Sequence, residues 1–190
     1  MRRIILSLSA SLDGFFEGPN RELDWSTADE ELLQHFNDWL KPVSALLQGR
    51  VTYQRLAAYW PTAHEDPQAT PATLEFAGIW REVPKFVYSK TLQEAGWNGT
   101  VVREVVPEEV MALKAQPGGD MVVGGPNLAS SFLRLGLVDA VRLYFHPVAI
   151  GHGHPLFRPE ALPLRLRLTG TRTFGSGVVM LDYERVMDAL

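Results

Sequence analysis

Along residues 3 to 10 the apolar positions Ile4, Ile5, Leu6 and Leu8 alternate with polar ones well enough to predict a buried strand, which Asp13-Gly14 ends. After a loop, Thr27 and Glu30 form a capping-box pair, and Leu32, Leu33, Phe36, Trp39 and Leu40 recur at helical spacing. The run VSALLQGRVTYQRLAAY reads as a short buried strand, a turn at Gly49, and a helix that starts beside Arg50. Pro, Asp and Thr mark residues 60 to 71 as a loop, and ATLEFAGIW reads as a helix. KFVYS and TVVREV read as strands separated by a turn, and PEEVMALKAQ as a helix with proline and acidic residues at its start.

The stretch MVVGGPNLASSFL, residues 121 to 133, repeats the grammar seen at Gly49: apolar strand, glycine, amphipathic helix. A strand DAVRLYFHPVAIG follows, and LRLRLTGTRTF and GVVMLDYERV, joined by Gly175-Ser176-Gly177, read as an antiparallel pair. Strands that alternate with helices early, then a hairpin, predict an α/β fold with helices on both faces of a mostly parallel sheet and an antiparallel edge. With no linker, repeat or low-complexity segment, residues 1 to 190 are expected to form one domain.

Composition narrows the function classes. A 46% hydrophobic, 21% charged chain is ordinary for a globular protein. A net charge of −4 without a basic run offers no footprint for nucleic acid or an anionic membrane, so a small molecule is the expected partner. Without cysteine there is no disulfide, thiolate metal site or cysteine nucleophile. His146, His152 and His154 raise the question of a metal, but glycines and a proline make GHGHP a turn with no carboxylate neighbouring it, so no metal is expected. A Ser-His-Asp hydrolase lacks its G-x-S-x-G elbow.

The strand-glycine-helix junctions at Gly49-Arg50 and Gly124-Gly125 carry the chemical inference. Glycine suits a tight turn, and it also lets an anion approach the N–H groups and positive dipole end of a helix start. Two such junctions could grip one pyrophosphate from both sides. Neither is a G-x-G-x-x-G or Walker loop.

Taken in order, LSLSASLDGF, LLQGRVTY, VYSKTL, VVGGPNLASSFLRLGLVDAVRLYFHPVAIGHGHPLF and the closing strand pair make the chain resemble the dihydrofolate reductase-like superfamily. The branch it resembles most is typified by the C-terminal reductase domain of the riboflavin-biosynthesis deaminase-reductase. The resemblance implies NADPH lying across the carboxyl edge of the sheet. Gly49, Arg50 and Thr52 would serve one helix start, and Gly124, Gly125, Asn127 and Leu128 the other. Ser89, Lys90 and Thr91 would meet the adenosine 2′-phosphate. Asp13, Trp25, Asp29 and His146 are the candidates for the substrate side. Leu32 and Leu33 stand where a true dihydrofolate reductase carries an acidic residue, which leaves Asp29, one turn earlier, as the substitute or else as a dipole-stabilising aspartate. The resemblance further implies hydride transfer to a C=N or C=O carbon of a small, pyrimidine- or pteridine-like substrate of the 5-amino-6-(5-phosphoribosylamino)uracil kind, a homodimer and a cytoplasmic location. The competing readings are a non-catalytic nucleotide-binding or assembly module that keeps the fold and a carbonyl reductase with an unrelated substrate.

Overall fold

The N-terminal strand lies inside the sheet, as its apolar face requires. In a computed structural model describing residues 1–26 and 28–186, β1 (Ile4–Ser11) leads through the short β2 (Phe15–Glu17) to α1 (Glu30–Leu40), then β3 (Ala45–Gly49) and α2 (Arg50–Ala57). After a 3-10 turn over Trp60–Glu65 come α3 (Pro71–Glu82), β4 (Lys85–Tyr88), β5 (Gly99–Val102), α4 (Pro107–Ala115), β6 (Met121–Gly124) and α5 (Pro126–Arg134). The chain continues with β7 (Ala140–His146), β8 (His154–Pro155), β9 (Leu166–Thr173) and β10 (Val179–Arg185).

Eight strands form one sheet in the order β5-β4-β3-β6-β1-β7-β10-β9. The strands from β5 to β7 run parallel, and β10 lies antiparallel between β7 and β9, with a bulge at Asp182/Tyr183. The mostly parallel sheet with an antiparallel edge is therefore present. Alternation sorts the faces. Leu6, Leu47, Val123 and Leu143 pack with α4 and α5 through Val110, Leu128 and Phe132. Leu46, Val87 and Val122 pack on the other face with Tyr53 of α2 and Trp80 of α3.

Three readings change. The cap of α1 is Asp29, whose carboxylate accepts the Leu32 amide at 2.8 Å, while Thr27 lies outside the described residues. β4 and β5 are separated by residues 89–98 rather than by a turn, because their parallel pairing requires the chain to return. The loop after β1 contains β2, which pairs with β8 as a separate two-stranded sheet; a three-residue strand is too short to show periodicity.

Candidate active site

From β3 the chain turns through α2 toward β4, whereas from β6 it turns through α5 toward β7, on the opposite face and in the opposite direction. Neighbouring parallel strands whose connections diverge open a crevice beyond their carboxyl ends. Gly49 and Gly125 are the N-caps of α2 and α5, and neither helix start has a side-chain cap. Their first-turn amides are thus available to an anion, reinforced by two helix dipoles.

A cleft of about 490 Å³ occupies this crevice. Every cofactor candidate except Gly124 lines it: Gly49, Arg50 and Thr52 on one side, Gly125, Asn127 and Leu128 on the other, and Ser89, Lys90 and Thr91 at one end. Gly125 has φ 88°, and a Cβ there would run into the Thr52 Oγ1, so the close approach of the two helix starts needs a residue without a side chain. Arg21, Arg55, Arg50 and Lys90 give the cleft a cationic rim. The buried Glu17, a carboxylate in its lining, lies 3.8 Å from Arg55 Nη1 and 3.2 Å from His154 Nδ1.

Individual roles differ from the expected ones in detail. Ser89 is buried, and its Oγ accepts the amides of Thr91 and Leu92 at 3.2 and 2.9 Å, so its hydroxyl shapes the turn that leaves Lys90 and Thr91 exposed. Arg103, absent from the expected set, braces the same turn by donating to the Ser89 and Leu92 carbonyls at 3.1 and 2.6 Å. Asn127 Oδ1 accepts from Arg158 Nη2 at 2.9 Å, which ties the start of α5 to the segment before the 3-10 turn over Pro159–Ala161.

A second cavity of about 290 Å³ continues from the first, sharing Phe16, Leu23, Thr52, Leu56 and Gly125 as its wall. Its floor is the sheet face bearing Ser7, Ser9, Gly124 and Gln48, and Phe36, Trp39, Phe76 and Trp80 enclose it. Among the described residues that line it, only Tyr144 is titratable, and burial raises the phenol pKa, so it stays protonated. Its hydroxyl lies 3.1 Å from His35 Nε2; burial first, then Arg142 and Arg172, lower the imidazole pKa and keep that ring neutral at pH 7.

The proposed substrate-side residues do not reach either cavity. Asp13 accepts Ser11 Oγ at 2.6 Å and the amides of Gly151 and Ile150 at 2.7 and 3.2 Å, which pins the β1-β2 turn to the loop after β7 and holds its carboxyl below the usual range, the Ser11 bond contributing most. Asp29 is committed to capping α1. Trp25 and His146 pack edge to face, with ring centroids 5.6 Å apart, and burial lowers the His146 pKa. His146 Nε2 lies 3.5 Å from the Oγ of Ser26, which does line the second cavity. Sequence reasoning missed Ser7, Ser9 and Gln48. The available signal was polar side chains on one face of two strands whose other face is wholly apolar, a cost tolerated where that face meets a ligand.

The family model for the RibD C-terminal domain matches residues 2–180. The chain belongs to this family. It is 39% identical over 187 residues to the uncharacterised protein YyaP of Bacillus subtilis (strain 168), covering 96% of this chain and 95% of that one. A Shewanella sp. PV-4 structure assigned to riboflavin biosynthesis matches with TM-score 0.73 at 20% identity, covering 97% of this chain and 99% of that one. Dihydrofolate reductase from Enterococcus faecalis, solved with NADP(H), matches with TM-score 0.63 at 12% identity, covering 96% of each chain. The fold is thus dihydrofolate reductase-like. Within it, Leu32 is buried against Tyr144 and Phe174, and among the described residues no carboxylate lines the second cavity.

Proposed function

We propose that the protein is an NADPH-dependent reductase. The observation that carries this reading is the pairing of two uncapped helix starts across a switch-point cleft, continuous with an aromatic pocket. The residues fit the cofactor: a glycine cradle that a Cβ would fill, available amides and a cationic rim suit a pyrophosphate, and the exposed Lys90 suits a 2′-phosphate. When bound, NADPH supplies a hydride from its nicotinamide ring. This chain's residues hold and shield it: Arg50 and the first amides of α2 and α5 neutralise phosphate, and Thr52, Leu56 and Gly125 form the wall common to both cavities. Phe16 and Leu23 on that wall exclude water, and Tyr144, protonated, offers a hydrogen bond to the substrate.

The acceptor is a C=N or C=O carbon in a small ring compound, in keeping with the family. A homodimer is the assembly the family resemblance supports, testable by light scattering. Among the described residues no helix is long and apolar enough to cross a membrane. Titration with NADPH, read by tryptophan emission, should show saturable quenching, because Trp39 and Trp80 line the adjoining cavity. Absence of any response, together with no protection against heat, would remove the reductase reading.

A further inference from the structure

The floor of the second cavity carries an uncommon arrangement. Gln48 on β3 is in register with Gly124 on β6, and Ser7 on β1 falls opposite Gly124 one step beyond the Leu6-Val123 pair. A Cβ at Gly124 would meet nothing within 4 Å, so three adjacent strands present a bare patch flanked by a carboxamide and a hydroxyl. Gln48 is 5% exposed, and its Oε1 is buried without a hydrogen-bond partner. A buried amide oxygen left unpaired is costly, and a ligand that supplies the missing donor removes the cost.

The walls add a second constraint. Trp39, Phe76, Trp80 and Phe36 face the patch, and among the described residues no ionised side chain lines the cavity. The guanidinium of Arg142, stacked 4.5 Å over Trp39, is already paired with Asp182 at 2.6 Å. A phosphate placed here would lose its hydration without gaining a cation, and the cations of the neighbouring cleft are those required by the dinucleotide.

From this geometry we infer that the second cavity selects an uncharged, planar lactam or imide ring without a phosphate, laid over Gly124 and held by Gln48 through paired N–H and C=O groups. The reading rests on the reductase proposal, in that the nicotinamide occupies the wall shared by the two cavities. It departs from a phosphoribosylated substrate. About 290 Å³ suits a compound of one or two fused rings.

The test uses the full chain with saturating NADPH and three probes: carbostyril, a neutral bicyclic lactam; N-methylcarbostyril, which lacks the donor; and uridine monophosphate, an imide ring bearing a phosphate. Calorimetry should show carbostyril binding at least tenfold tighter than either of the others. In Gln48→Met, which keeps the length and apolar fit, carbostyril and its N-methyl form should bind equally. Should Gln48→Met melt early, Gly124→Val provides a second probe, because it fills the bare patch and must abolish carbostyril binding. Uridine monophosphate binding as tightly as carbostyril would overturn the neutral class. Persistence of the lactam preference in Gln48→Met, or of carbostyril binding in Gly124→Val, would overturn the anchoring geometry. NADPH binding with no probe bound would likewise overturn it. Failure of NADPH to bind, with the probe pattern intact, would remove the reductase reading and leave the pocket assignment standing.

Discussion

Gly125→Ala adds one carbon at the narrowest point between the two helix starts. The backbone there has φ 88° and ψ 130°, a region that costs an L-residue about 1–3 kcal/mol. The new Cβ also collides with Thr52 Oγ1, and turning Thr52 off its rotamer costs roughly 0.5–1.5 kcal/mol more. Together these amount to about 2–4 kcal/mol, less than the roughly 5–15 kcal/mol that holds a typical domain folded. The variant should therefore fold, with a melting temperature lowered by about 5–15 °C. Its cofactor affinity should fall at least tenfold, because the added methyl and any compensating shift of α2 both intrude where the pyrophosphate meets the amides. Thr52→Ala in the same chain removes the collision but keeps the backbone strain, so it should recover part of the stability. Circular dichroism and NADPH titration read the two effects separately. A folded Gly125→Ala protein with wild-type NADPH affinity would refute the phosphate reading of this turn.

Lys90→Ala should weaken NADPH by about tenfold and NADH little, since a charge-assisted contact to the 2′-phosphate is lost; equal losses in a paired titration would move that contact elsewhere. Asp29→Ala should lower stability by about 1 kcal/mol through loss of the α1 cap and leave cofactor and probe binding unchanged, as measured by urea melts and calorimetry. Burial pushes Lys85 down to about 8, against 10.5 for the free side chain. Between those values the unfolded chain holds a proton that the folded chain has released, so stability should rise with pH across that window. Lys85→Met should flatten the rise in denaturant melts while leaving the Val83 and Trp97 carbonyls that Nζ contacts at 2.8 and 2.7 Å without their donor. With dihydrofolate and NADPH, turnover should stay far below the usual enzyme scale of about 10 per second, because among the described residues no carboxylate lines the second cavity to support pterin protonation; brisk turnover in a steady-state assay would contradict that.

The parts of the fold that were legible in the sequence are those where one face of an element is uniformly apolar. Ile4, Leu6 and Leu8 announced β1, and the closing hairpin announced itself by alternation and a glycine turn. The cleft between the two helix starts was legible for a related reason, since a glycine between a strand and a helix leaves a local trace at Gly49 and Gly125. The adjoining second cavity was not. Its floor is assembled from Ser7, Gly124 and Gln48 on three strands distant in sequence, and only the sheet order makes them neighbours. Asp13 and Asp29 looked chemical because they are carboxylates near turns, yet both are consumed by backbone amides, the routine use of such residues.

In the proposed reductase a nicotinamide dinucleotide lies across the ends of β3 and β6. A crystal structure of the protein soaked with NADPH tests it most directly. Pyrophosphate density is expected between the starts of α2 and α5, within hydrogen-bonding reach of the Thr52 and Leu128 amides, with the nicotinamide ring against Gly125 and Leu56. Cofactor density at any other place on the protein, or an empty cleft at saturating NADPH, would contradict it.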